Sequence, residues 1–177
     1  MNRVASTFAL AAALAACENT PTLRFQVDKQ IPQQTIDGSL APCQIAQVFP
    51  FLQAPLQMTF SQQQDFPEQN TDVQRITSAK LDTLTLTVTS GEPNWDFLET
   101  LDIFVEADGL STELVAVLDP VPDGATTITL QPTGLQLAPY VKAPGGFTMT
   151  SEATGCPPAQ DTTFTGQVIL NIAAEPL

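Results

Sequence analysis

The side chains best placed to do chemistry are carboxylates. Glu92, Asp96, Glu99, Asp102, Glu106 and Asp108 fall within seventeen residues, and Asp119 and Asp123 follow. Calcium takes six to eight oxygens, and loops at one end of a β-domain can supply them. If residues 103–108 and 114–119 pair as a hairpin, Asp119 and Asp123 come towards Asp96 and Glu99, and these four are the candidate ligands. No D-x-[DN]-x-[DN]-G loop accompanies them. A solvated acidic face would give the same composition, so no metal or other cofactor is expected, with calcium as the alternative. Two carboxylates ~5–10 Å apart across a cleft could hydrolyse a glycoside. Short loops leave little room for such a cleft, so the chain is not expected to be an enzyme, and a carboxylate hydrolase is the second alternative. With no histidine in the chain, Ser-His-Asp, Cys-His and imidazole–metal chemistry are closed. No G-x-S-x-G, S-x-x-K or glycine-rich phosphate loop is present. Trp95 and Tyr140 are the only Trp and Tyr. They are thin material for a glycan platform and are expected in the core or plugging an end.

The cysteines point to the cell envelope. Residues 4–16 are apolar or small and follow a basic Met1-Asn2-Arg3 start. That is the length of a signal-peptide core and too short for the ~20 residues of a membrane span. The run ends in Leu14-Ala15-Ala16-Cys17, which resembles the bacterial lipobox. The resemblance implies cleavage before Cys17 and its acylation, with palmitate among the chains. Several acyl chains anchor stably where one binds only marginally. Ordinary signal cleavage at the same site, with Cys17 a bystander, is the alternative. Glu18, a residue other than Asp after the cysteine, resembles the outer-membrane case of the sorting rules of enteric bacteria, and that resemblance implies the outer membrane, with the domain periplasmic or surface-facing. Of three cysteines, Cys43 and Cys156 remain. An oxidising envelope would pair them, adding up to ~4.7 kcal/mol for a loop of ~100 residues; two buried free thiols are the alternative.

Composition narrows the partners. Six Lys+Arg against 19 Asp+Glu leave a formal net charge of -13, and removing residues 1–16 takes Arg3 away. Nucleic-acid binders need clustered Lys and Arg, so no nucleic acid is expected. The same acidity speaks against an electrostatic grip on anionic lipid. Charged residues make up 14% and hydrophobic ones 43%, a balance that favours a folded core over disorder.

The elements that must position these groups alternate with period two, the mark of half-buried strands. Leu23, Phe25 and Val27 form one such series. Leu56, Met58 and Phe60 form another, as do Leu101, Ile103 and Val105, then Phe147 and Met149, then Val168, Leu170 and Ile172. Ala79 and Leu81 are odd-numbered while Leu84, Leu86 and Val88 are even, so a bulge is expected near Asp82-Thr83. Residues 114–118 are apolar throughout, as in a strand covered on both faces. Asp-Gly and Gly-Gly pairs supply turns between the runs. Residues 94–101 and 134–142 carry apolar residues at helical spacing and are expected to be single helical turns plugging the ends. Residues 42–56 are apolar and nearly uncharged. Phe49, Phe51 and Leu52 would be a partner-contact patch if exposed, or would fill an open edge if Cys43 draws the segment onto the domain.

The expected fold is all-β: an antiparallel β-sandwich, immunoglobulin-like, of about eight strands with one or two short helical turns. The expected organisation is a lipoprotein signal peptide at 1–16, acylated Cys17 and a short tether at 17–22, and a single domain at 23–177. The run Lys80-Leu81-Asp82-Thr83-Leu84-Thr85-Leu86-Thr87-Val88 is followed by residues 96–110 and by Leu137-Ala138-Pro139-Tyr140-Val141. This order resembles a loose group of uncharacterised β-sandwich envelope lipoproteins of Gram-negative bacteria. That resemblance covers residues 73–173 and implies a fold and a place, with no catalytic residues to carry over. The expected function is a membrane-anchored lipoprotein with a binding or structural role in the envelope and an envelope protein as possible partner. The alternative is a calcium- or glycan-binding module using the acidic loops.

Overall fold

Alternation makes strands here because each one has a wet face and a dry face. In the computed structural model, which describes residues 22–38, 58–61 and 72–175, nine strands form. They are β1 (Leu23–Ile36), β2 (Met58–Phe60), β3 (Ile76–Ser90), β4 (Leu98–Glu106) and β5 (Glu113–Leu118), then β6 (Thr127–Thr129), β7 (Gln131–Pro132), β8 (Phe147–Gly155) and β9 (Thr162–Ala174). The one α-helix among the described residues is α1 (Ala138–Lys142).

Two antiparallel sheets result, in the orders β1-β9-β3-β6 and β2-β8-β4-β5-β7. The antiparallel sandwich is therefore as expected. The first and last strands pair, and β4–β5 is the one neighbouring pair that is also consecutive in sequence. This is the strand order of a jelly roll rather than of an immunoglobulin domain. Period two reveals which face of a strand is dry but not which strand lies beside it. Leu84, Leu86, Leu101, Ile103, Phe147, Phe164 and Val168 are among the residues that fill the space between the sheets.

Bulges account for the departures from alternation. The β3–β9 register shifts between Leu81 and Thr83, where the phase of the sequence changes, so both Leu81 and Leu84 are buried. In β5, Ile103 pairs with Ala116 and Phe104 with Leu114, leaving Val115 as the extra residue. Val115 and Ala116 are consequently both buried. The apolar run 114–118 is thus a bulged strand, not one covered on both faces. The expected helical turn over 94–101 is also corrected. Residues 91–97 are bends and turns, β4 begins at Leu98, and a register shift between Leu98 and Thr100 lets Leu98 and Leu101 both face inward. A bulge can thus mimic the i, i+3 spacing of a helix. The second expected turn does form: α1 closes one end with Tyr140 and Val141 buried, and the Tyr140 hydroxyl donates to Ser111 O at 2.8 Å.

Candidate functional site

The strand register gives the sandwich two ends. Leu23 and Ile76 both pair with Ala174 at the end where β1 emerges from the N-terminal segment. Ile36 pairs with Thr162, and Ser90 with Thr163, at the far end.

The far end gathers the acidic residues singled out in the sequence. Asp96 Oδ1 accepts from Gly124 N–H at 2.5 Å, which brings Asp96 beside Asp123. Val121 N–H donates to Glu99 O at 2.9 Å, so the loop after β5 folds back along the start of β4. Glu92 Oε1 accepts from Ala159 N–H at 2.9 Å. The Asp96 and Glu92 carboxylates thus hold exposed backbone N–H groups that lie outside the strand ladders, and Glu99 takes part through its backbone carbonyl. Asp96, Glu99, Asp119 and Asp123 share one end of the fold. Among the described residues, however, no group of three or more His, Cys, Asp or Glu side chains is placed to hold a metal ion.

Asp102 is a carboxyl whose titration is shifted by its surroundings. It stands on the outer face of β4, opposite Glu152 on β8 and Val117 on β5. Burial pushes its carboxyl above the usual carboxylate range, and the negative charge of Asp119 pushes in the same direction. Burial and a like charge both penalise the ionised form. Phe104, Leu114 and Val117 are half-buried around it, so the group sits at the margin of a partly apolar sheet face.

Trp95 and Tyr140 are both buried, as expected for core residues. The Trp95 indole packs edge-on against Phe164 with ring centroids 5.4 Å apart, and Nε1–H donates to Thr126 O at 3.1 Å. No face of the ring is available as a sugar platform.

Two surface grooves went unnoticed in the sequence. One, of about 380 Å³, lies between the β4–β5 turn and the loop before β8 and includes Glu106, Asp108, Thr112 and Thr148. The other, of about 700 Å³, lies on the β1-β9-β3 sheet and is lined by Arg24, Gln26, Lys80, Asp82 and Asn171. Its residues come from three strands far apart in sequence, and no local motif could have announced it. Of the remaining candidates, Cys17, Cys43, Phe49, Phe51 and Leu52 lie outside the described residues. Cys156 follows β8, half-buried, and its backbone N–H donates to Phe97 O at 2.7 Å.

The strand order defines an all-β sandwich with jelly-roll topology. No family model matches the chain, and no curated protein matches it. Among solved structures it is similar to a crystal structure of decameric BFDV capsid protein, with 9% sequence identity and a TM-score of 0.44 over 88% of this chain and 100% of that one.

Proposed function

We propose that the chain is an envelope lipoprotein, acylated at Cys17 and held at the outer membrane, whose sandwich domain has a binding or structural role. The observation that carries this reading is the apolar run ending in Leu14-Ala15-Ala16-Cys17, with β1 starting at Leu23. Six residues reach about 20 Å at full extension. The domain is then held close to the bilayer by an end of its first strand, not carried on a long stalk. An oxidising compartment fits with this. Cys156 is disulfide-bonded, and with Cys17 taken by lipid its partner in this reading is Cys43.

The test is expression of the full chain in a Gram-negative host with and without Cys17→Ser. The wild type is expected in the detergent-extracted membrane fraction, with an intact mass that includes acyl chains and begins at Cys17. The variant is expected without acyl mass and outside that fraction. A mature wild type without acyl chains would overturn the reading. Alkylation without reductant should leave Cys43 and Cys156 unmodified, and labelling of either thiol would refute the pairing.

A further inference from the structure

Charge is divided unequally between the two sheets. The strands of the β1-β9-β3-β6 sheet carry Arg24, Lys29 and Lys80 against Asp28 and Asp82. The strands of the β2-β8-β4-β5-β7 sheet carry Glu99, Asp102, Glu106, Glu113 and Glu152 and no Lys or Arg. Arg75 and Lys142 belong to the 3-10 turn before β3 and to α1. Lys29 reaches the acidic sheet at its β2 edge, where Nζ donates to Thr59 O at 2.6 Å. Arg3 is the one basic residue outside the described stretches, and residues 39–57 and 62–71 hold no Lys or Arg that could neutralise that sheet.

The outer face of the acidic sheet has an apolar centre. Register places Phe104 on β4 between Leu114 on β5 and Thr150 on β8, and the next outward row is Val117, Asp102 and Glu152. Phe104, Leu114 and Val117 are half-buried. The helix α1 packs against β3, so no described helix covers this face. Asp102 and Glu152 are direct cross-strand neighbours, a like-charge placement that destabilises a sheet. Asp119 adds its negative charge to Asp102. Towards the β4–β5 turn, Glu106 and Asp108 line the 380 Å³ groove together with Thr148. Among the described residues, no Lys or Arg pairs with Asp102, Glu106, Asp108 or Glu152. Three apolar side chains are therefore bordered by carboxylates without a counter-charge from their own chain.

We propose that this face docks a basic segment of a partner protein, with an apolar side chain seated over Phe104, Leu114 and Val117 and Lys or Arg side chains on Asp102, Glu106 and Glu152. This gives the binding role proposed above a surface and a partner chemistry, and rests on that role. Charge complementarity selects the occupant. A second copy brings the same net charge of -13 and is repelled. A metal ion would leave the apolar centre bare, and among the described residues no group of three or more His, Cys, Asp or Glu is placed to hold one. A basic segment covers the apolar centre, relieves the repulsion between Asp102 and Glu152, and is steered in by the unbalanced acidic face.

The experiment uses the acylated full-length protein in nonionic detergent. The probe is a short synthetic peptide with paired lysines on either side of leucine, phenylalanine and leucine. A carbodiimide joins its amines to the carboxylates they touch, and peptide mass spectrometry reads the joined residues, each normalised to its own reaction with free glycinamide. Asp102, Glu106 and Glu152 are expected to crosslink at least about fivefold more than Glu92, Asp96 and Asp123 at the far end, the scale of one well-placed charge contact. A peptide with serine at the three apolar positions should crosslink about fivefold less. So should Phe104→Thr, which keeps a strand-forming residue on the outer face. D102N/E152Q should lower the yield at Glu106 about fivefold, while D28N/D82N, the same charge change on the other sheet, should leave it unchanged. Equal yields at the face and the far end, or equal yields with the serine peptide, would overturn the proposal and leave the lipoprotein reading standing. Dimers joined through Lys80 and Asp102 without peptide would assign the face to a second copy and overturn it too. Protein without acyl chains that still crosslinks at Asp102 would overturn the lipoprotein reading alone.

Discussion

Replacing Trp95 separates a core role from a ligand platform. The indole is 1% exposed and touches the Phe164 and Phe97 rings at centroid distances of 5.4 and 5.6 Å. Its Nε1–H donates to Thr126 O, an oxygen that also accepts from Val88 N–H at 3.0 Å. Trp95→Phe therefore leaves no orphaned carbonyl. It loses about 1 kcal/mol for the hydrogen bond and a further ~1 kcal/mol for the smaller ring. Trp95→Ala opens a cavity at the far end of the core and should cost about 4 kcal/mol, within the range for buried aromatics. At 2–4 °C per kcal/mol for a domain of ~150 residues, the expected drops in Tm are about 4–8 °C for Phe and about 8–16 °C for Ala. Urea and thermal unfolding by circular dichroism measure both, since neither variant retains a tryptophan. A Trp95→Ala protein within ~1 kcal/mol of the wild type would refute the burial argument, because no exposed or loosely packed indole is assigned a cavity term of that size.

Two adjacent glycines make a matched pair. Gly145 and Gly146 have φ of 89° and 87°, but a Cβ at Gly145 meets nothing within 4 Å, while one at Gly146 would lie 1.8 Å from Phe60 O. Gly145→Ala should cost about 1–2 kcal/mol for the left-handed backbone alone. Gly146→Ala should cost clearly more by chemical denaturation, because the β2 backbone must also move, and equal losses would refute the close approach. Asp102→Asn tests the perturbed carboxyl. Its folded-state pKa lies above the unfolded value, so the native state binds more protons between the two, and stability falls as pH rises through that window. Asn removes the charge, so the variant should gain relative to the wild type at pH 7, with the difference shrinking as the pH falls below ordinary carboxylate values. Parallel melting curves over that range would show that Asp102 carries no such penalty.

The sequence alone determined the elements more firmly than their arrangement. Alternation is a local consequence of one dry face, so it located most strands, and the phase change between Leu81 and Leu84 announced a real bulge. Local spacing misled where a bulge imitated another pattern. Leu98 and Leu101 read as a helical turn, and Val115 and Ala116 read as a strand dry on both sides. The small helix at Tyr140 was legible because Leu137, Tyr140 and Val141 cannot share a buried face in a regular strand. Pairing is non-local, so only the tertiary structure decided that β1 lies beside β9, and hence that the sandwich is a jelly roll. The same holds for the surface. The acidic residues at 92–123 could be read as a cluster, but the fold uses two of them, Glu92 and Asp96, to hold backbone N–H groups of other segments. Arg24, Arg75, Lys80 and Lys142 come from three separate stretches of the chain. Folding brings them to one end, alongside Asp72, Glu106, Glu113 and Glu175, because antiparallel register places the start of β1 and the start of β3 on either side of the close of β9.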